Sequence, residues 1–186
     1  SSYQPDVLRR YSFYCLMPKN CKALLTTAAV RIQHPPLRLM NCFRQPRFPI
    51  CHDIAEKGLK VGFDLSGDCM VLGDALRLGQ VMDNLLTNAI KYSEREGEIL
   101  IKSEENIKPE NKIRLVMMNT GPLIPQKDLE QIWKSFYQVD NTAKGNGLGL
   151  AIVKSIVGLH GGTCRAYINS KYNCIELIIS EKTLRI

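Results

Sequence analysis

The sequence predicts an α/β protein in which one mixed β-sheet is covered by helices on one face. Three observations carry that. Strand-like and helix-like stretches are intermixed, with hairpin-like joins between them. Leu59, Val61, Phe63 and Leu65 recur at every second position, the period of a half-buried strand. Leu78, Met82, Leu85, Leu86 and Ala89 recur at three- and four-residue steps, the period of an amphipathic helix. The chain of 186 residues suits one domain of ordinary size with a short appendage.

The first 45 residues are the least regular. Lys22 to Ile32 fits a short helix, stopped at His34-Pro35-Pro36 because proline disfavours helix in the residue before it. Cys42 to Pro49 is basic and broken by prolines. The pattern sharpens near residue 46, so a boundary is expected there, with a basic segment over 1–45 and a folded domain over 46–186. Ile50 to Lys57 reads as a short helix stopped by Gly58, and Leu59 to Leu65 as a strand. Asp74 can cap a long helix running to Tyr92. Glu98 to Ser103 and Lys112 to Asn119 read as strands, the second apolar at its centre. Pro125 is expected to open a helix continuing to Phe136. Asp140 to Gly147 is polar and glycine-rich. Leu148 to Leu159 reads as a helix stopped by Gly161-Gly162. Thr163 to Ile168 and Asn173 to Ser180 form a last antiparallel pair around a Ser-Lys-Tyr turn.

Composition narrows the function classes. With 45% hydrophobic and 23% charged residues, wholesale disorder is excluded. No apolar run approaches the roughly 18 residues of a membrane helix, and no signal-peptide pattern opens the chain. The seven cysteines include no CxxC pair, which fits reduced thiols in a cytoplasmic protein better than a disulfide scaffold or a zinc site. The net charge of +7 is uneven: residues 1–55 hold eight Lys/Arg against two Asp, whereas the rest is nearly balanced. The charge is therefore no argument for specific nucleic-acid binding by the main body.

Three features carry chemistry. Arg77, Gln80, Asn84, Asn88 and Lys91 form a polar stripe on the long helix. Asparagine is a mediocre helix former, so two of them one turn apart suit carboxamides that face a ligand and help to hold Mg²⁺; an ordinary solvated face is the alternative. Gly145-Asn146-Gly147-Leu148-Gly149-Leu150 runs straight into a helix, whose first turn offers unpaired N–H groups to phosphates; a surface turn is the alternative. Asn119-Thr120-Gly121 ends an apolar strand, where a polar residue reaches into a cleft and Gly121 lets a flat ring lie against the backbone. A plain strand-to-turn signal is the alternative there.

These features occur in a fixed order that resembles the catalytic, ATP-binding domain of bacterial two-component sensor histidine kinases, in the GHKL superfamily. Gly73-Asp74 and Gln80 to Tyr92 are similar to the N box, and Asn119 to Pro125 to the G1 box. Ile132 to Tyr137 is similar to the F box, Gly145 to Leu150 to the G2 box, and Leu159-His160-Gly161-Gly162 to its usual continuation. The resemblance spans residues 50–180. It implies a Bergerat fold, an α+β two-layer sandwich with a mostly antiparallel sheet. It implies ATP and Mg²⁺ as ligands, with Asn88 on the metal, Asn84 beside it, and Lys91 and Tyr92 near the phosphates or ribose. Gly145, Asn146, Gly147, Leu148, Gly149 and Leu150 would line the phosphates beneath a lid from Gln138 to Asn146, whose cation Lys144 reaches the γ-phosphate. Asn119, Gly121, Ile124 and Phe136 complete the implied nucleotide contacts.

The chain departs from the family pattern in places. The usual G1 aspartate is Asn119, which can accept from the adenine amino group but without charge. The usual second G1 glycine is Leu123, whose side chain is expected to crowd the adenine. Family members that hydrolyse ATP carry a glutamate four residues before the metal asparagine; here Asn84 stands there, and an amide takes no proton from water. The resemblance thus implies transfer of the γ-phosphate to a histidine in two-component signalling. A degenerate, non-catalytic nucleotide-binding or interaction module is the alternative.

The acceptor itself is not recognisable. His34 precedes a proline pair, which spoils a helix interior, His52 is expected to be exposed on a short helix, and His160 reads as structural at a helix end. Expected partners are therefore a phosphoacceptor and dimerisation domain, on the same or a partner kinase, and a response-regulator receiver domain. The chain reads as a piece of a larger sensor, cytoplasmic or on the cytoplasmic side of a membrane-anchored parent, with residues 1–45 a remnant of a dimerisation region or linker.

Overall fold

The computed structural model describes residues 37–38, 48–65, 70–71, 73–107, 112–140 and 145–180. The helix expected over Lys22 to Ile32 lies outside the described residues. Strand β1 (Leu37–Arg38) pairs antiparallel with β3 (Met70–Val71) in a small separate ladder. Helix α1 spans Phe48–Lys57 and starts two residues before the expected Ile50. Pro49 falls in its first turn, where a missing N–H removes no helical hydrogen bond.

The main sheet has five strands in the order β2-β4-β5-β7-β6. They are β2 (Lys60–Leu65), β4 (Glu98–Ile107), β5 (Lys112–Thr120), β6 (Thr163–Asn169) and β7 (Tyr172–Ser180). Only the β2–β4 pair is parallel, and the other three ladders are antiparallel. The expected mixed, mostly antiparallel sheet is thus observed.

Helix α2 spans Ala75–Tyr92 and α3 spans Gly149–Leu159. Asp74 caps α2 as expected: its Oδ1 accepts from the Leu76 and Arg77 N–H groups at 2.9 and 3.1 Å. Such a cap contributes about 1 kcal/mol. Leu78, Val81, Met82, Leu85 and Ala89 of α2 are buried against Val153, Ile156 and Val157 of α3 and against the sheet residues Ile99, Ile101, Leu115, Met117, Leu177 and Ile179. These sheet residues alternate along their strands, so one face of the sheet meets both helices. The other face carries a smaller cluster of Val116, Met118 and Cys174, and the buried Glu176 paired with Arg165. Burial pushes the Cys164 thiol on β6 up to about 11, which makes it a poor nucleophile at neutral pH.

One expected element is corrected. The stretch from Pro125 to Phe136 is not an α-helix but two 3₁₀ turns, Gln126–Asp128 and Gln131–Trp133. Both ends are pinned in ways a straight helix cannot meet. The Ile124 N–H donates to Asn173 Oδ1 at 2.9 Å. Phe136 has φ +65° while its N–H donates to Gly147 O at 2.9 Å, and a left-handed residue ends a right-handed helix. Between them Asp128, Leu129, Ile132 and Trp133 are all buried. Twelve residues is too short for intrinsic helicity to override that packing.

Candidate functional site

The polar stripe of α2 faces the glycine loop. Asn84 donates its amide to Gln80 O at 2.8 Å, which holds the carboxamide along the helix. Its Oδ1 then points at Gly149, where an added Cβ would lie 3.2 Å away. Lys91 reaches the other end of the loop, and a Cβ on Gly145 would sit 2.7 Å from its Nζ. That ammonium also donates to the Tyr92 hydroxyl at 3.1 Å and lies 4.7 Å from the centre of its ring. Asn88 stands between them on the stripe, half-buried, and among the described residues its carboxamide makes no hydrogen bond.

The loop is shaped by close packing as much as by its openness. Gly147 has φ +66°, and a Cβ there would lie 2.7 Å from the Phe136 carbonyl carbon. Only glycine fits that conformation against that backbone. Asn146 Oδ1 accepts from the Leu148 N–H at 3.2 Å. The first intrahelical acceptor after the loop is Leu148 O, bonded to the Ile152 N–H at 3.0 Å. The N–H groups of Gly149, Leu150 and Ala151 thus have no helical acceptor and lie at the positive end of the α3 dipole. Leu150 packs partly on the core, and the Phe136 side chain is 74% exposed. Lys144 lies outside the described residues.

The β5 end of the site is buried, and its side chains hydrogen-bond to backbone. Asn119 lies two residues beyond Met117 on β5, so it projects toward the helices, and it is 7% exposed. Its amide donates to Thr120 O at 3.3 Å. Its cross-strand partner is Asn173 of β7. Asn173 Oδ1 accepts from the Ile124 N–H at 2.9 Å and Nδ2 donates to Pro122 O at 3.0 Å, fixing the loop after β5. Gly121 has a structural requirement of its own: a Cβ would lie 2.2 Å from Tyr92 O, so its backbone closely approaches the end of α2. Leu123, expected to crowd the cleft, is 48% exposed.

Gly121 thus touches Tyr92, Tyr92 touches Lys91, and Lys91 meets Gly145, so the structure brings the separate motifs into one site. Several supports had no sequence signal. Asn173 acts through backbone groups 49 and 51 residues away. The Tyr137 hydroxyl donates to the buried Asp128 at 2.7 Å, and this bond pushes the phenol's pKa up. His160 is buried and ties α3 to α2: Nε2 accepts from the Asp74 N–H at 3.2 Å while Nδ1 faces Ile156 O at 2.8 Å. The expected structural role holds, although the ring links two helices and not merely one helix dipole. His52 is exposed on α1, as expected.

The sequence model of the histidine kinase-, DNA gyrase B- and HSP90-like ATPases matches residues 73–182. The chain belongs to this ATPase family. It is 30% identical over 131 residues to the sensor histidine kinase CusS of Escherichia coli O157:H7, a match that covers 68% of the chain and 26% of CusS. Its structure is similar to the catalytic domain of histidine kinase ThkA, with a TM-score of 0.69, 27% identity, and coverage of 81% of this chain and 97% of that one. It is also similar to full-length ShkA in complex with AMPPNP, with a TM-score of 0.66, 25% identity, and coverage of 83% of this chain and 32% of ShkA. The chain thus matches about a quarter of the length of the sensor kinase CusS. Among the described residues, no helix is long and apolar enough to cross a membrane.

Proposed function

We propose that the chain binds Mg²⁺–ATP and passes the γ-phosphate to a histidine on a separate dimerisation domain, as the nucleotide-binding part of a two-component sensor kinase. The observation that carries this reading is the polar stripe of α2 facing the glycine loop. Asn84 Oδ1 and the Lys91 ammonium abut Gly149 and Gly145, the two ends of a loop whose following N–H groups have no helical acceptor. That arrangement suits a polyanion. ShkA, which shares the fold, was solved with AMPPNP.

Each residue then has a role. The N–H groups opening α3 and the Lys91 ammonium hold phosphate oxygens. Asn119, with its Nδ2 already donating to Thr120 O, presents Oδ1 to the adenine amino group. Asn88 has the hard oxygen donor that Mg²⁺ prefers and, among the described residues, no competing hydrogen bond, so the residue fits the ion. The ion would neutralise charge on the phosphates. Asn84 cannot take a proton from water, which favours transfer over hydrolysis. Phe136, and Lys144 from the lid, complete the expected contacts.

In the same reading, residues 46–186 form the catalytic unit, residues 1–45 belong to a neighbouring region, and the unit works on the cytoplasmic side. A receiver domain is the onward partner, by extension from ThkA, which was solved in complex with the response regulator TrrA. The test is calorimetric titration of a non-hydrolysable ATP analogue with and without Mg²⁺, followed by phosphate transfer from ATP to a supplied dimerisation domain. Magnesium-dependent binding is expected in the wild type. Asn88→Ala should lose that dependence while leaving folding stability within about 0.5 kcal/mol. No binding at millimolar nucleotide would favour a non-catalytic interaction module.

A further inference from the structure

At the back of the site one side chain does what no motif assigns. Lys57, the last residue of α1, directs its ammonium at the C-terminus of α2. Its Nζ donates to Ile90 O at 2.8 Å, Lys91 O at 2.9 Å and Ser93 O at 3.0 Å. An ammonium has three hydrogens, so its donor capacity is used in full. The carbonyls in the last turn of a helix lack N–H partners and lie at the negative end of its dipole, so a cation there satisfies both. The cap is reciprocal: Lys57 O accepts from the Glu96 N–H at 2.8 Å, and Glu56 O from Arg95 at 3.1 Å.

The capped turn has no slack on its other side. Gly121 packs against Tyr92 O so closely that a Cβ would lie 2.2 Å away. The same turn carries Lys91, whose ammonium abuts Gly145, and Tyr92, which supports that ammonium. The rest of α2 is held by its own buried face from Leu78 to Ala89. Removing the cap would therefore shift the last turn and leave the helix in place.

We propose that Lys57 is a positioning residue for the phosphate end of the site, holding the last turn of α2 and through it Lys91. This rests on the Mg²⁺–ATP reading above. The test titrates a non-hydrolysable ATP analogue with Mg²⁺, and adenosine alone, against the wild-type chain, Lys57→Met, Lys91→Met and the double variant. Lys57→Met should weaken the ATP analogue about tenfold, the cost of one misplaced charge-assisted contact. Adenosine affinity should not change. The double variant should bind no more weakly than Lys91→Met alone, because the two residues act in series.

Should Lys57→Met fail to fold, Lys57→Arg carries the same comparison. It keeps the charge but spreads its donors over a planar fork, so a smaller loss of about threefold is expected. Wild-type affinity in both Lys57 variants, equal losses for adenosine and the ATP analogue, or additive losses in the double variant would overturn the proposal. A wild-type chain that binds neither ligand overturns the nucleotide reading together with this one. Tight wild-type binding that Lys57→Met leaves intact overturns this one alone.

Discussion

The two ends of the cleft are held by opposite means. At the β5 end, Asn119 and Asn173 are buried and Asn173 spends both its amide donor and its carbonyl on backbone groups. At the glycine-loop end, Asn88 makes no hydrogen bond among the described residues, and the N–H groups opening α3 lack helical acceptors. The first end is satisfied within the protein except at Asn119 Oδ1, and the second is left with donors and acceptors to spare. A buried polar group without a partner costs on the order of 1–3 kcal/mol. That cost is met inside the protein at the first end and by solvent or ligand at the second. Changes at the β5 end should therefore register as lost stability. Changes at the loop end should register as lost binding with the fold intact, and Asn88→Ala is the direct test of that half.

The harshest way to break the contrast is Gly121→Ala. The new Cβ would meet the Tyr92 carbonyl oxygen at 2.2 Å, and the obstacle is backbone, which cannot swing aside. Overpacking of that kind costs about 3 kcal/mol or more. Since Gly121 also borders the turn that carries Lys91, thermal unfolding should fall by many degrees and nucleotide binding should fall with it. A variant with wild-type melting would show that the end of α2 yields easily. The rigid end would then be no more rigid than the loop.

Asn173→Ala is the next step down. It frees the Ile124 N–H and the Pro122 carbonyl and empties a buried site on β7. The expected loss is about 2 kcal/mol, read as a shift of the urea midpoint with an unchanged slope. Adenosine affinity should fall with it, whereas the Mg²⁺ dependence of the remaining binding should persist. Loss of Mg²⁺ dependence in this variant would mean that the two ends are coupled and the contrast is false.

The same contrast decided what the sequence disclosed. The stripe of α2 was legible because Asn84, Asn88 and Lys91 repeat with the helical period, and the loop because its glycines are local. The sheet was legible from alternation at Leu59 to Leu65 and from the apolar run of β5. What failed was whatever depends on distant backbone. Lys57 finds its acceptors 33 to 36 residues away, and Asn173 finds its partners 49 and 51 residues away. Neither has a local pattern. The helix expected from Pro125 to Phe136 failed for the same reason. Its residues favour helix, yet Asn173 and Gly147 hold its two ends, and at the second of these Phe136 turns left-handed. For Gly121 the close approach to Tyr92 O had no local signal, because the sequence does not say that the end of α2 returns to β5.

The smallest expected effect concerns Glu98, which opens β4 beside the β5 end. Its Oε2 accepts from Lys171 Nζ at 2.8 Å and from the Tyr172 hydroxyl at 2.7 Å. The Lys171 hydrogen bond, and then that of Tyr172, hold the Glu98 carboxyl below its ordinary value of 4.5, against a weaker opposing effect of burial. A depressed carboxylate contributes stability that is present above the unfolded pKa and lost as pH falls through the folded one. Wild type should therefore exceed Glu98→Gln in stability at neutral pH, and the gap should close below pH 4.5. The pair lies near the surface, so the gap should be small and should shrink further in high salt. Asn88→Ala removes no titrating group, and its stability curve should run parallel to wild type throughout. A Glu98→Gln curve that also ran parallel, from neutral pH to pH 3 or so, would show that the carboxylate only packs. Acid sensitivity would then no longer distinguish the wired end of the cleft from the open one.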